Sequence, residues 1–206
     1  MREIDLDSDF KVIVFGLGSL GSNTVLSLSR RLGDKVGFYL VDYDIIEEKN
    51  LANQPWMDVN VNQKKITVLS ANLWRISKCK ALCHHKKIVT VSDVKHLPYI
   101  EKADLMVDCF DNTASRKVLK RAAQVTKKDI IHSGFSENSF KCAWNDNFRL
   151  IGNSRNPICD RRDLATIVQL GAALTAEAIY YYLTNNKKLS YYLDIIKGSL
   201  KAFNIE

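Results

Sequence analysis

Short apolar runs without alternation recur along this chain, separated by segments whose apolar residues fall at helical spacing. FKVIVFG (Phe10 to Gly16) is such a run, β-branched and ending in glycine, as expected of a strand buried on both faces of a parallel sheet. In SNTVLSLSRRLG, Val25, Leu26, Leu28 and Leu32 recur at roughly helical spacing, and Gly33 is a helix stop. KVGFYLVD reads as the next strand, completing a β-α-β unit long enough for a right-handed crossover.

The rhythm continues. NQKKITVLSANLWRI is a helix candidate, KKIVTV a strand, ADLMVDCF a second apolar strand, NTASRKVLKRAAQV a helix and KDIIHSG a strand. Such alternation predicts an α/β fold with a Rossmann-like, doubly wound, mostly parallel sheet. Beyond Gly134 the pattern changes, because NSFKCAW and FRLIGN read as a strand pair with no helix between them. GNSRNPICDRRD is a polar loop, ATIVQLGAALTAEAIYYYL a long apolar helix, and YYLDIIKGSLKAFNIE a closing antiparallel hairpin.

Composition adds bounds. The chain has 206 residues, 46% of them hydrophobic, which suits one domain over residues 1–206. It contains no run of about 18 consecutive apolar residues, and three aspartates stand at the N-terminus where a signal peptide would be apolar. The expectation is a soluble, cytoplasmic protein without a membrane partner. Five irregularly spaced cysteines agree with a reducing compartment. The net charge is +7, concentrated at residues 78–87 and at Lys117, Lys120, Arg121, Lys127 and Lys128. It favours an acidic partner such as a nucleotide, RNA or an acidic protein face, or belongs to solvated helix faces.

Candidate chemistry begins at GLGSLG (Gly16 to Gly21), a GxGxxG between strand and helix. Gly16 allows the tight turn, Gly18 admits a phosphate to the backbone, Gly21 permits close packing, and the helix N-terminus supplies donors. Asp42, ending the next strand, is the expected ribose acceptor, and up to this point NAD and ATP fit equally. VDCFDNTASR then sets Asp108 and Asp111 at the end of a buried strand, followed by Asn112 and Arg116. A carboxylate facing phosphates suits Mg²⁺, which takes one or two carboxylates plus phosphate oxygens. Asp111 or Asn112 could equally be a helix N-cap.

The ordered set GLGSLG, VDYDIIEEKNLANQ, NQKK and VDCFDNTASR resembles the ThiF/MoeB/HesA family, bacterial relatives of ubiquitin-activating enzymes, from Phe10 to Leu183. The resemblance implies binding of ATP and Mg²⁺. It further implies adenylation of the C-terminal glycine carboxylate of a small ubiquitin-like β-grasp protein ending in Gly-Gly, with release of pyrophosphate. By the same resemblance, Gly16, Gly18, Ser19 and Gly21 line the nucleotide and Asp42 holds the ribose. Asp44, Asn50, Asn53 and Gln54 lie along the nucleotide, and Lys65 neutralises phosphate charge, unless its neighbour Lys64 points inward instead. Asp111 holds Mg²⁺, supported by Asn112 and Arg116.

Three departures stand out. Asn53 replaces the arginine of the family's NL-x-RQ segment, and a neutral amide cannot supply its charge. Only nine residues precede Phe10, with Arg2 the sole candidate for an N-terminal arginine that reaches a partner's site. Paired CxxC motifs are absent, so no structural zinc is expected. The missing charge could come from a partner chain, in a homodimer or a heterodimer with another activating-type chain, or locally from Arg116, Arg155, Arg161 or Arg162. A non-catalytic subunit and an enzyme like the tRNA threonylcarbamoyladenosine dehydratases are the alternatives, the latter making tRNA a partner. Cys159, in NPICDRRD, matches a loop cysteine that takes part in thioester or sulfur chemistry in some relatives. Two arginines favour its thiolate while Asp160 and Asp163 oppose it. CKALCHH carries metal-ligand residue types but crowds them into one short segment. Tyr180, Tyr181, Tyr182, Tyr191 and Tyr192 read as core or dimer packing.

Overall fold

The computed structural model describes residues 6–136, 139–148 and 162–205. One eight-stranded sheet runs through it in the order β3-β2-β1-β4-β5-β6-β7-β8. β1 (Phe10–Phe15), β2 (Val36–Asp42), β3 (Ala81–His85), β4 (Leu105–Asp108) and β5 (Ile130–Phe135) are parallel. β6 (Ser139–Trp144), β7 (Lys188–Asp194) and β8 (Ser199–Ile205) continue the sheet antiparallel. This is the expected doubly wound, Rossmann-like α/β architecture with antiparallel C-terminal strands.

Why the central strands lack alternation is visible in their two coats. Val12 and Val14 of β1, with Phe38 and Leu40 of β2, face a core shared with α1 (Ser19–Leu32), α2 (Lys65–Ser77) and α5 (Ala165–Asn185). Ile13, Phe15, Tyr39 and Val41 face the opposite core, under α3 (Val91–Lys95) and α4 (Thr113–Thr126). Each fully buried large apolar side chain contributes about 1.5–3 kcal/mol, so apolar residues line both faces of these strands. Gly33 stops α1 as expected, with φ +61° and its N–H on the Ser29 carbonyl. The residues of α5 are apolar enough, by length and composition alone, to cross a membrane. In the fold, α5 packs on α1 and β7.

Two expectations fail. KKIVTV is not a strand; the strand is the preceding ALCHH, β3, which among the described residues pairs only with β2 and is therefore half exposed. Thr90 and Asp93 instead form a capping box that starts α3 and takes up the end of the apolar run. NSFKCAW does not pair with FRLIGN either, because β6 is flanked by β5 and β7. Phe148 follows a short 3₁₀ turn at Asn145–Asn147 and belongs to no strand, while 149–153 lie outside the described residues.

Candidate nucleotide site

β1 and β4 are neighbours, yet their onward connections diverge: α1 covers one face and leads to β2, while α4 covers the other and leads to β5. Such a switch point opens a crevice at the carboxyl ends of the strands. The residues of GLGSLG and VDCFDN therefore meet there, with Phe15 and Asp108 in register.

The glycines are required by shape. Gly16 has φ +83°, and a Cβ on it would stand 3.0 Å from Phe110. A Cβ on Gly21 would lie 1.9 Å from the Gly16 carbonyl oxygen, so the loop folds directly onto the first turn of α1. Gly18 is the N-cap of α1 and offers no side chain, and no acidic residue occupies the first turn. The opening N–H groups of this fourteen-residue helix thus have no side-chain cap. A cradle that rejects a Cβ, joined to an uncapped helix N-terminus, fits a phosphate group.

Asp42 ends β2 and ties the loop down. Its Oδ2 accepts the Leu17 N–H at 2.5 Å and its Oδ1 the Asp44 N–H at 2.7 Å. Burial pushes its carboxyl pKa up against those two hydrogen bonds. Each oxygen keeps a lone pair that a ribose hydroxyl could use.

The segment after β2 closes over α1. Ser19 Oγ donates to Asn53 Oδ1, and Asn23 Nδ2 donates to the carbonyls of Ser19 at 2.7 Å and Asn53 at 3.2 Å. The Asn53 amide therefore stitches this segment to the helix at the position where the related motif has arginine. Asn50 is buried and its Oδ1 accepts the Glu47 N–H at 3.0 Å. Gln54 Oε1 accepts the Trp56 indole N–H at 2.8 Å, whereas Gln54 Nε2 is buried without a partner among the described residues. An orphaned buried donor is costly and suits a ligand oxygen.

Lys65, not Lys64, is the inward lysine. Lys64 is exposed as the N-cap of α2, while Lys65 is 5% exposed and its Nζ meets Asp44 Oδ2 at 3.1 Å. Tyr43 adjoins Asp44 in the chain, and its hydroxyl is pushed to higher pKa by burial and then by the charges of Asp44, Asp42 and Asp111. Asp111 thus shares one neighbourhood with the β2 carboxylates, and its side chain is exposed.

On the β4 side the N-cap alternative holds for Asn112. Asn112 is the N-cap of α4, its Oδ1 accepting the Ser115 N–H at 2.8 Å. Arg116 turns away from the crevice mouth, with Nη1 on Asp108 Oδ2 at 3.2 Å and Nη2 on the Ser133 carbonyl at 2.6 Å. It packs across Gly134, where a Cβ would stand 2.6 Å from Nη2. Sequence reasoning missed His132, whose Nδ1 is 2.7 Å from the same Asp108 oxygen and whose ring stacks on Phe148. Burial works against the Asp108 charge, but Arg116 and His132 hold its pKa below the usual carboxylate value. A histidine directly after the apolar pair Ile130–Ile131, in a segment that reads as a strand, was the available signal.

Cys159, Arg155 and Arg161 lie outside the described residues, and Arg162 is exposed. Among the described residues no three His, Cys, Asp or Glu side chains converge to hold a metal unaided. Magnesium at Asp111 would consequently lean on phosphate oxygens and water. In CKALCHH, Cys79 is buried against the Gly33 carbonyl at 2.6 Å and Cys83 donates to the Ile66 carbonyl at 3.3 Å.

Comparison with known proteins agrees with this geometry. A profile of the ThiF family matches residues 6–190. The adenylyltransferase and sulfurtransferase MOCS3 of Drosophila virilis is 28% identical over 126 residues, covering 58% of this chain and 26% of the relative. That of Sus scrofa is 26% identical over 121 residues, with the same coverage. The chain thus spans about a quarter of the length of these curated relatives. Among solved structures, E. coli MccB with ATP superposes with a TM-score of 0.73 at 16% identity, over 97% of this chain and 63% of that one. E. coli MccB with MccA gives 0.74 at 18% identity, over 97% and 65%. At these identities the likeness shows the fold.

Proposed function

This chain belongs to the ThiF family, and we propose that it binds ATP in the β1–β4 crevice and activates a substrate carboxylate by adenylation. The observation that carries the reading is the Gly16–Gly21 cradle, which rejects a Cβ and runs directly into the uncapped N-terminus of α1, with the buried Lys65 on Asp44 beyond the strand end that ties the loop down. The names of the relatives support it: MOCS3 is an adenylyltransferase, and MccB has been solved with ATP.

In this reading the uncapped first turn of α1 and the backbone of Gly16 to Gly18 receive phosphate oxygens, and Asp42 takes the ribose hydroxyls. Lys65 offsets the negative charge that a carboxylate brings to the phosphates, for which it must exchange its contact with Asp44. Magnesium, when bound, neutralises phosphate charge, with Asp111 as the carboxylate that would hold it. The attacking carboxylate bonds to the α-phosphorus and pyrophosphate leaves. We take the carboxylate to be the terminal glycine of a ubiquitin-like β-grasp protein, and residues 1–206 to act as one adenylation domain.

A second reading follows from Asn53. With an amide bonded to Ser19 where the family motif has a guanidinium, the chain could require a second activating-type subunit. Exchange of labelled pyrophosphate into ATP, with and without a β-grasp protein ending in Gly-Gly, separates the two. Exchange that depends on the β-grasp protein supports adenylation by this chain. Absence of exchange despite tight Mg-ATP binding supports the subunit reading.

A further inference from the structure

The crevice floor contains a buried polar chain that the nucleotide reading leaves unused. His132 is 1% exposed, its Nδ1 lies 2.7 Å from Asp108 Oδ2, and its Nε2 is buried with no partner among the described residues. The ring stacks on Phe148 with centroids 5.3 Å apart, and the Arg116 guanidinium carbon stands 5.2 Å from the same Phe148 ring. Stability alone does not account for a histidine here. An unpartnered buried nitrogen costs free energy that a leucine or valine in β5 would avoid.

What the imidazole does hold is one carboxylate. Arg116 reaches Asp108 through a single nitrogen at 3.2 Å, its other arm being committed to the Ser133 carbonyl. The remaining Asp108 oxygen, Oδ1, accepts the Phe110 N–H at 3.0 Å. Phe110 in turn lies where a Cβ on Gly16 would meet it, and the Cys109 N–H bonds to the Phe15 carbonyl at 2.9 Å. Asp108 therefore fixes the start of the segment that ends, three residues later, in Asp111.

We propose that His132 is a positioning residue for magnesium: with Arg116 it orients Asp108, and through the Phe110 N–H it sets the loop that presents Asp111. This rests on the reading of the crevice as a Mg-ATP site. Groups that hold metal ligands in place from behind change metal affinity by about 10–100-fold when removed.

The test compares the full chain with His132→Leu and His132→Asn, since an asparagine amide can keep a donor near the position of Nδ1. The quantity read is the Mg²⁺ concentration that gives half-maximal thermal stabilisation at fixed ATP. His132→Leu should need about tenfold more Mg²⁺, and His132→Asn should recover most of that loss. Circular dichroism without nucleotide, and the thermal shift with ATP plus chelator, should stay unchanged in both variants. An unaltered Mg²⁺ requirement in His132→Leu overturns the proposal, as does a His132→Asn variant no better than leucine. Should the leucine variant not fold, the imidazole nitrogen NMR signals of the wild-type chain decide. They should move when Mg²⁺ joins bound ATP and stay still with ATP and chelator; signals that ignore Mg²⁺ overturn the proposal. A wild-type chain that Mg-ATP does not stabilise overturns the site reading and this proposal together, an outcome distinct from normal stabilisation with a silent His132→Leu.

Discussion

The two walls of the crevice are built from different materials. On the β1–β2 wall, backbone groups bonded to one carboxylate and a neutral amide carry the structure: Gly16 against Gly21, Asp42 on the Leu17 and Asp44 N–H groups, Asn53 on Ser19. On the β4–β5 wall a buried ion pair, Asp108 with Arg116, takes their place, and the buried His132 imidazole bonds to the same carboxylate. The first wall tolerates no extra atoms, and the second depends on the counter-charge that Asp108 and Arg116 give each other. A loop that must admit phosphate to its backbone is kept bare, whereas a loop that must aim one carboxylate is anchored from behind by charge.

Breaking the ionic wall should have the largest effect. Asp108→Asn leaves the Arg116 guanidinium buried without a counter-charge, and urea unfolding should show a loss of about 3–5 kcal/mol. A loss below 1 kcal/mol, on the order of an exposed pair, would mean that the chain is not held by this contact. The bare wall should fail by crowding: Gly21→Ala places a methyl against the Gly16 carbonyl. It should cost about 1–3 kcal/mol in the same assay and remove ATP binding.

Smaller changes sharpen the contrast. Asp111→Ala, at an exposed position, should leave the melting temperature of the nucleotide-free chain unchanged while abolishing the Mg²⁺-dependent gain in ATP affinity. Retained Mg²⁺ dependence would remove Asp111 from the site. Asn53→Arg must give up the Ser19 contact but restores a cation, so pyrophosphate exchange should rise; no gain would point to charge supplied by another chain.

The smallest effect lies outside both walls. Burial works against the charge of Asp129, but hydrogen bonds from Lys188, Asn145 and Tyr182 hold its carboxyl below the usual range. Its contribution to stability is thus complete above the unfolded value of about 3.9 and is lost as pH falls through the lower folded one. Lys188→Met should flatten that acid limb of the melting curve by up to about 1 kcal/mol. A limb as steep as in the wild type would show that Lys188 contributes nothing.

How much of this could be read from the sequence follows the same division. The bare wall is local: GLGSLG, Asp42 and the Asn50 to Gln54 segment are near one another in the chain, and glycine spacing reports backbone shape directly. The central strands were legible because burial on two faces leaves no alternation. β3 was not, since an edge strand with one partner is half exposed and its residues ALCHH lack a β-branched run. The ionic wall was hidden for another reason. His132 is 24 residues from Asp108 in the chain, and only parallel β4–β5 pairing brings them into register. Arg116 showed in sequence as a charge one turn into a helix after the acidic motif, and nothing local tells that it turns toward the Ser133 carbonyl. Lys65 and Lys64 were distinguished only by the Asp44 contact and its burial.

Isothermal titration of ATP into the wild-type chain, with Mg²⁺ and with chelator, and of NAD under the same conditions, addresses the central claim most directly. Saturable binding of Mg-ATP, weakened by the chelator and not matched by NAD, is the predicted result. Binding of NAD in preference to Mg-ATP, or ATP binding indifferent to Mg²⁺, would contradict the assignment of the crevice.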